Sequence, residues 1–312
     1  MGLIRKPSEL QVQTTIKALL YGQPGIGKST MALSAPSPVL LDFDNGVHRI
    51  NIQHQVDTLQ VVSYDDFLEV LQSGELAPYK TIVIDTAGKM LDYMGAWLIK
   101  NDPKLGQRDG SLSLKGYGAR KSEFIRVLKA ISIMGKHIVF VAHEREEKEG
   151  NQKIIRPEIG GSSAGDLIKE LDLVGYVQAI GKQRTVSFDP CEKFYGKNTC
   201  NLPSTIALPR LIDEQGNVIA QNDLLETIFK SYQNNLEKRK EEVKRYNDLI
   251  ELINQNIAAI TDCESLNEAT KRLQDFEVIW DSKIQASRKI HAKAVELKCS
   301  FNKEKKIYEP AA

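Results

Sequence analysis

Residues 22–29 read Gly-Gln-Pro-Gly-Ile-Gly-Lys-Ser and match the phosphate-binding loop pattern G-x-x-x-x-G-K-[ST]. Residues 16–21 form a mostly apolar run that is typical of a buried strand, and residues 29–33 can open a helix. Glycines let successive backbone N–H groups turn toward phosphates, and a helix N-terminus adds partial positive charge. We therefore expect ATP to bind at nine residues, which are Gly22, Gln23, Pro24, Gly25, Ile26, Gly27, Lys28, Ser29 and Thr30.

Two residues are predicted to hold Mg²⁺ beside this nucleotide. The Ser29 hydroxyl would ligate the ion while Lys28 contacts the β- and γ-phosphates. Residues 81–86 read Thr-Ile-Val-Ile-Asp-Thr, a β-branched run that ends in an acid and matches the Walker B pattern. Open α/β sheets bind ligands at the carboxyl ends of their strands, so Asp85 is expected to join Ser29 at the ion. An aspartate after a strand can also start a turn or cap a helix.

The general base for hydrolysis is expected on a different strand. The residue after Asp85 is Thr86, where many ATPases carry the glutamate that activates water. Residues 39–46 read as a buried strand that breaks into a turn, and period-two alternation puts Asp42 and Asp44 on one side of the backbone. We expect these acids to reach the nucleotide. The alternative is that they only cap the turn.

A third strand predicts a contact to the γ-phosphate. Residues 137–142 are mainly apolar and are followed by His143, whose neutral imidazole can donate a hydrogen bond to phosphate. The alternative is a histidine that merely ends a strand. The order of these motifs resembles that of the RecA-type recombination ATPases, and most closely the small phage-encoded single-strand annealing proteins of the Sak type. The likeness extends over roughly residues 10–215 and includes an acid-glycine segment, 44–46, and the His-Glu pair 143–144.

This resemblance implies an α/β fold, namely a RecA-like P-loop core with a mainly parallel sheet. It implies that Lys28, Asp44 and His143 are catalytic, with Asp44 orienting the attacking water and His143 reading the γ-phosphate. The family usually carries glutamate where Asp44 stands and often glutamine where His143 stands. We therefore expect a slow, DNA-stimulated ATPase. The implied partners are single-stranded DNA, further copies of the chain in a filament or ring, and a single-strand-binding protein.

Two polar segments are the predicted DNA contacts. Residues 101–118 combine glycines with basic residues, and residues 144–165 are polar without periodicity. RecA-like proteins grip single-stranded DNA with two loops at these places, so the resemblance gives both segments that role. Lys115, Tyr117 and Arg120 are the DNA-binding candidates, because an aromatic side chain among basic ones can stack a base and meet a phosphate. The alternative for both segments is an exposed, flexible loop.

Basic residues further along the chain are candidates for a contact in trans. In oligomeric ATPases of this class, basic side chains from this part of one subunit reach the γ-phosphate bound by its neighbour. Lys193 and Lys197 are the candidates here, although exposed lysines are common on any surface.

The character of the chain changes near residue 213. Beyond it there is no proline until Pro310, and amphipathic helical patterns dominate. Residues 261–264 and 265–268 both match the capping box, which predicts a helix start there, and a third helix is predicted over about 282–305. We therefore expect an ATPase core, 1–215, followed by an all-α extension, 216–312, folded as a hairpin or bundle.

Composition narrows the class of protein. Lys plus Arg number 42 against 41 for Asp plus Glu, so net charge does not indicate a nucleic-acid partner. The sequence contains no run of 18 apolar residues, so no membrane span is predicted, and the first residues lack the apolar core of a signal peptide. The four cysteines are widely spaced without zinc-site spacing, which favours reduced thiols. We expect a cytoplasmic location, in the bacterial host if the chain is phage-encoded.

The predicted function is therefore an ATP-hydrolysing RecA-like protein that acts on single-stranded DNA in phage-type recombination, by annealing or strand exchange. The alternative is an AAA-type helicase loader or another remodelling ATPase whose helical tail binds a partner. The absence of an adjacent Asp-Glu pair at residues 85 and 86 disfavours it. A P-loop small-molecule kinase would need an arginine-rich lid, and the sequence shows none.

Overall fold

A computed structural model describes residues 14–150, 152–160, 163–181, 183–273 and 277–311. The chain divides into two compact units, of which one extends to residue 233 and the other comprises residues from 234 onward. From the sequence, this division was predicted after residue 215. In the first unit, the strands are β1 (Lys17–Gly22), β2 (Pro38–Asp42), β3 (Thr58–Gln60), β4 (Thr81–Asp85), β5 (His137–Glu149), β6 (Gln152–Pro157), β7 (Leu173–Ile180), β8 (Gln183–Ser187), β9 (Lys197–Asn198) and β10 (Thr205–Ala207).

The helices of the first unit cover the two faces of its sheet. They are α1 (Lys28–Ala32), α2 (Tyr64–Ser73), α3 (Ala87–Asn101), α4 (Leu114–Ile133) and α5 (Ser163–Glu170). A sixth helix, α6 (Leu224–Ala258), begins in this unit and continues into the second. Buried aliphatic and aromatic side chains form one cluster on each face, and the strands between them are almost continuously buried. The predicted α/β architecture is confirmed.

The sheet order is β10-β8-β7-β1-β5-β4-β2-β3. Strands β7, β1, β5, β4, β2 and β3 run parallel, whereas β8 and β10 extend one edge in the antiparallel sense. Strand β5 therefore lies between the strand that enters the phosphate loop and the Walker B strand. Its register pairs Gly22 with His143, and β2 pairs with β4 so that Asp42 lies opposite Asp85. The four predicted strand ends thus meet at the edge of the sheet formed by the carboxyl ends of its parallel strands.

The start of α6 is fixed to the helix that follows the phosphate loop. The backbone N–H of Leu225 donates to the Ser34 hydroxyl at 2.9 Å, and the N–H of Glu226 donates to the Ser34 carbonyl at 2.9 Å. The Asn222 side-chain amide donates to the Thr30 carbonyl at 2.7 Å. Ser34 therefore satisfies backbone donors that a helix N-terminus leaves without an intrahelical partner.

The segment predicted as a second polar loop, 144–165, is largely a β-hairpin. Strand β5 continues through it and pairs antiparallel with β6. Charged side chains face each other across the hairpin, as in the pair between Lys153 Nζ and Glu146 Oε2 at 2.9 Å. Because these charges replace an apolar face, the sequence lacks the alternation by which a half-buried strand is recognised. Residues 151, 161 and 162 of the predicted loop lie outside the described residues.

The second unit is helical, as predicted, with one addition. After α6 come α7 (Cys263–Arg272) and α8 (Ser282–Glu296), and then a two-stranded antiparallel hairpin of β11 (Cys299–Asn302) and β12 (Ile307–Pro310). The observed capping box at the start of α7 uses Asp262 and Ser265. The predicted box at 261–264 is therefore one residue too early, and the predicted box at 265–268 lies inside the helix. Helix α8 is shorter than the predicted 282–305 because the hairpin takes over from residue 299.

A disulfide bond joins Cys263 and Cys299, whose Cα atoms are 5.9 Å apart. The prediction of reduced thiols is therefore wrong for this pair, whereas Cys191 and Cys200 are free. The two half-cystines are 36 residues apart, and only the folding of α7 against the hairpin brings them together. Within the described ranges, no helix is both long and apolar enough to cross a membrane.

Candidate nucleotide-binding site

The phosphate loop connects β1 to α1 as the sequence predicted. Gly25 and Gly27 have φ values of 75° and 99°, which glycine adopts without steric cost. A Cβ on Gly22 would lie 2.2 Å from the Val177 carbonyl oxygen on the neighbouring strand, so only glycine fits there. The loop therefore needs its glycines for backbone conformation and for close approach, and it leads directly into the first turn of α1.

Lys28 is the loop cation and is 5% exposed. Its ammonium donates to the Gln23 carbonyl at 2.7 Å, inside the loop itself. Burial lowers the pKa of Lys28, and the carboxylates of Asp85, Glu144 and Asp44 partly oppose that shift. A partly desolvated cation held against the loop is suited to bind phosphate oxygens that approach the same N–H groups.

Asp85 ends β4 and is 8% exposed. Burial raises the pKa of its carboxyl to about 6; a hydrogen bond from Ser29 lowers it, and the charges of Asp42 and Asp44 raise it further. The structure thus brings together Ser29 and Asp85, the two predicted Mg²⁺ ligands. No group of three or more His, Cys, Asp or Glu side chains suited to a metal occurs in the described part of the chain. Two protein oxygens beside a phosphate site fit Mg²⁺, which keeps several waters and binds substrate phosphates.

The two acids that follow β2 have different environments. Asp42 is 2% exposed, and its carboxylate accepts the backbone N–H of Gly46 at 3.0 Å and of Val47 at 2.9 Å. It holds the turn, which is the alternative that the sequence left open for it. Asp44 is partly exposed, lines the cavity beside the phosphate loop, and pairs with Arg49 at 3.5 Å. Of the two acids, Asp44 is therefore the one that borders the cavity.

His143 lies between the phosphate loop and the Walker B strand, because β5 is inserted there. Its Nδ1 is buried and has no hydrogen-bond partner among the residues that the structure describes. Burial and the charge of Lys28 lower the pKa of His143, whereas Asp44 and Glu158 oppose that shift. The imidazole is thus neutral at neutral pH and has a nitrogen free to bond a phosphate oxygen.

These groups border a cavity of about 210 Å³. Its lining consists of Pro24, Gly25, Gly27, Lys28, Ser29, Thr30, Asp44, Gly46, Arg49, Ile50, Asp85, Thr86, Val141 and His143. A second cavity of about 190 Å³ adjoins it and shares Gly25, Gly27, Thr30 and Arg49 with it. The rest of the second lining is Met31, Asn51, His54, Arg184, Leu208, Pro209, Leu211, Ile212, Asn222 and Leu224. The first cavity is lined by the charged side chains Lys28, Asp44 and Asp85, whereas the second combines aliphatic side chains with polar and basic ones.

Three basic side chains in these cavities were not singled out from the sequence. Arg49 borders both cavities, and Arg184 Nη1 donates to the Ile26 carbonyl at 3.4 Å. His54 has a buried Nε2 without a partner among the described residues. Arg184 is 158 positions from its loop contact, so no local pattern could have found it. Arg49 follows Asp44 by five positions, at the end of the turn after the predicted strand.

The DNA-binding candidates lie on a helix and not on a loop, because Ser113 caps α4 and the helix begins at Leu114. Lys115 is exposed and Tyr117 is 47% exposed. Arg120 is only 8% exposed, with its guanidinium 5.1 Å from the centre of the Tyr117 ring. A Cβ built on Gly160 would lie 3.0 Å from Arg120 Nη2, so α4 contacts the segment that follows the β5–β6 hairpin.

The candidates for a contact in trans differ from one another. Lys197 Nζ donates to the carbonyls of Ile168 and Lys169, both at 3.1 Å, and so caps the C-terminus of α5 within its own chain. Lys197 is therefore engaged within its own chain, whereas Lys193 is exposed.

Among known proteins, one solved structure that matches part of this chain is that of a KaiC-like protein from the hyperthermophilic archaeon Pyrococcus horikoshii OT3, with a TM-score of 0.33 and 13% identity. That match covers 55% of this chain and 77% of the other. No curated protein matches the sequence significantly. Residues 14–200 match the AAA_24 family, described as an AAA domain, over more than half of the chain. The protein is therefore a P-loop ATPase-fold protein that belongs to the AAA_24 family of AAA domains.

Proposed function

We propose that this protein hydrolyses ATP with Mg²⁺ at the cavity beside the phosphate loop and couples hydrolysis to single-stranded DNA. The observation that carries the first part is the convergence of Lys28, Asp85, Asp44 and His143 at one edge of the sheet, around one cavity. A phosphate cradle, two Mg²⁺ ligands, a carboxylate for water and a neutral donor are the groups that phosphoryl transfer to water needs.

The chemistry follows from where these side chains lie. Lys28 and the loop N–H groups hold the β- and γ-phosphate oxygens, and His143 donates to a γ-phosphate oxygen. Bound at Ser29 and Asp85, Mg²⁺ supplies positive charge that offsets the charge on those oxygens. The water oxygen attacks the γ-phosphorus, the bond to the β–γ bridging oxygen breaks, and ADP leaves with the electron pair. The proton of the water passes to Asp44 and then to solvent.

The adjoining cavity is the place for the nucleoside. The apolar part of its wall, which includes Leu208, Pro209 and Leu224, suits the faces of a base. It shares loop residues with the phosphate cavity, so one nucleotide can occupy both. We propose that the base lies there, with the buried His54 Nε2 available to hydrogen-bond to it.

Phosphate release with Mg²⁺ and ATP tests the hydrolase proposal. Lys28→Ala should abolish hydrolysis and most of the nucleotide affinity, because the loop lysine binds phosphate. Asp44→Asn should spare affinity and lower kcat by about 10²–10⁴, the usual contribution of a general base. Lys129→Ala, an exposed residue on α4, is the matched control and should equal the parent. Hydrolysis by Lys28→Ala at the parent rate would show that the site is elsewhere.

The proposed DNA contact is the first part of α4 together with the segment after the β5–β6 hairpin. Support comes from the closeness of Arg120 to Gly160, which brings one DNA-binding candidate against the predicted segment 144–165. Tyr117 exposes its ring beside the Arg120 guanidinium. Lys115 is two residues before Tyr117, in the first turn of α4. An exposed aromatic ring and a lysine can stack a base and meet a phosphate.

The second candidate function is an AAA-type loader, which the family match favours. Fluorescence anisotropy with a labelled single strand, in the presence of a non-hydrolysed ATP analogue, separates the two. Lys115→Ala should weaken binding and reduce the slope of log affinity against log salt by about 1. Lys129→Ala, at the other end of α4, is the matched control. A parent protein that does not bind single strands at low salt would favour the loader.

A further inference from the structure

Arg49 lies where the phosphate and nucleoside cavities meet. It ends a 3-10 turn, Val47–Arg49, whose first N–H groups are held by the buried Asp42 carboxylate. The Arg49 N–H donates to the Gly46 carbonyl at 3.0 Å, which closes the turn. The backbone that carries Arg49 is therefore well fixed, whereas its side chain is 66% exposed and free to change rotamer.

The Arg49 guanidinium pairs with Asp44, with Nη1 and Oδ2 separated by 3.5 Å. Charge-assisted hydrogen bonds are usually shorter, about 2.7–2.9 Å, so this pair is loosely held. Exposed ion pairs of this kind contribute little to stability. A phosphate group with more negative charge than one carboxylate would therefore compete well for the guanidinium, which matches phosphate oxygens in geometry.

Lys28 and Arg49 are the lysine and arginine side chains among the described residues that line the phosphate cavity. Lys28 belongs to the loop, and Arg49 to the turn after β2 that also carries Asp44. Two cations on separate elements can clamp the transferred phosphoryl group, and stabilising its charge is the main task of the protein in phosphoryl transfer. Arg184, by contrast, is engaged with the Ile26 carbonyl and borders only the nucleoside cavity.

We propose that Arg49 senses the γ-phosphate: when ATP binds, its guanidinium exchanges the Asp44 carboxylate for a γ-phosphate oxygen, and this frees Asp44 Oδ2 to orient the attacking water. The inference rests on the proposed ATPase function. It assigns Arg49 two effects in one movement, because the same exchange adds positive charge at the phosphate and releases the base. With ADP the exchange does not occur, and Asp44 stays paired.

Equilibrium binding of fluorescent ATPγS and ADP tests this assignment. Arg49→Ala should lower the affinity for ATPγS by about 10- to 100-fold, the usual worth of a hydrogen bond to a charged group, and change ADP affinity less than about threefold. Arg49→Lys, which keeps the charge but loses the planar fork, should be intermediate. Arg184→Ala is the matched control, which should weaken both nucleotides by similar factors because it supports the loop.

A second arm separates a direct contact from an effect through Asp44. In an Asp44→Asn background, adding Arg49→Ala should still lower the ratio of ATPγS to ADP affinity. If the ratio is unchanged there, Arg49 acts only on Asp44 and the sensor assignment is wrong. Equal losses for both nucleotides in the single variant would place Arg49 at the nucleoside and also overturn it. A parent that binds ATPγS only as well as Lys28→Ala does would instead refute the ATPase proposal itself.

Discussion

The buried charge of Asp85 is expected to destabilise the folded protein, and Asp85→Asn should remove that destabilisation. Burial raises the pKa of this carboxyl from 3.8 to about 6, so the folded protein disfavours its ionised form. Below the unfolded pKa both states hold the proton and there is no cost. Above pH 6 the folded protein carries the full cost, which for this shift is about 3 kcal/mol. Stability should therefore fall as pH rises from 4 to 7.

The substitution keeps an oxygen that can accept the Ser29 hydrogen bond but removes the charge. Urea unfolding without Mg²⁺ should show Asp85→Asn more stable than the parent by up to about 3 kcal/mol at pH 7.5 and by only about 1 kcal/mol at pH 4.5. The same variant should lose Mg²⁺-dependent nucleotide binding, since an amide is a poorer ligand for a hard cation.

Asp92→Asn is the matched control, because Asp92 has a side chain that is 69% exposed. Its stability should stay within about 0.5 kcal/mol of the parent at both pH values. The reasoning is refuted if Asp85→Asn gains nothing at pH 7.5, or if its gain is the same at pH 4.5. Either result would mean that burial does not penalise the charge of Asp85.

Three further perturbations test other parts of the molecule. Ser34→Ala should destabilise the first unit by about 1–3 kcal/mol in urea unfolding, because it leaves the buried Leu225 N–H without its acceptor; equality with the parent would contradict the hydrogen bond. Tyr117→Ala should weaken single-strand binding by about 1–3 kcal/mol if a base stacks on the ring, as measured by anisotropy, and an unchanged affinity would remove the stacking contact. Reducing the disulfide that joins Cys263 and Cys299 should lower the unfolding free energy of the second unit by about 2–4 kcal/mol, as reported by Trp280 fluorescence in a Trp97→Phe background; no response to reductant would contradict a structural role.

The phosphate loop and the Walker B strand could be read from sequence because their chemistry is local. The residue types from Gly22 to Ser29 themselves determine the backbone geometry of the loop. The β-branched run that ends at Asp85 is buried on both faces, as predicted. The mainly parallel sheet follows from the same runs. The ATP, Mg²⁺ and DNA contacts of individual residues stay predictions.

The sequence could not show which of Asp42 and Asp44 holds the turn and which borders the cavity. Both acids lie two residues apart after one strand, and alternation puts them on the same side. Only the path of the chain after Gly46 decides that Asp42 is buried and accepts two N–H groups while Asp44 borders the cavity. Arg184 reaches the loop from a distant strand, which no local pattern encodes.

The predicted DNA segments show a different limit. Glycines and charges between residues 101 and 118 are typical of a loop, yet Ser113 starts a helix that contains Gly116 and Gly118. Glycine costs only about 1 kcal/mol in a helix, and packing can outweigh that. Gly116 has a reason to be there, because a Cβ would lie 2.2 Å from the Leu105 carbonyl oxygen. A composition rule cannot foresee such a close approach.

The packing of the start of α6 against the sheet also determines how short a recombinant fragment that contains the phosphate loop can be. Leu225, Ile228 and Phe229 are at most 5% exposed and belong to the same cluster as the strands of the sheet, and Phe229 stacks on His137 with ring centres 4.6 Å apart. Burying three such side chains is worth roughly 5–9 kcal/mol, comparable to the whole stability of a typical domain. A fragment that ends at residue 215 would therefore present an open apolar face and would be prone to aggregate. Recombinant fragments meant to retain the nucleotide site should extend at least to residue 233, where the first unit ends.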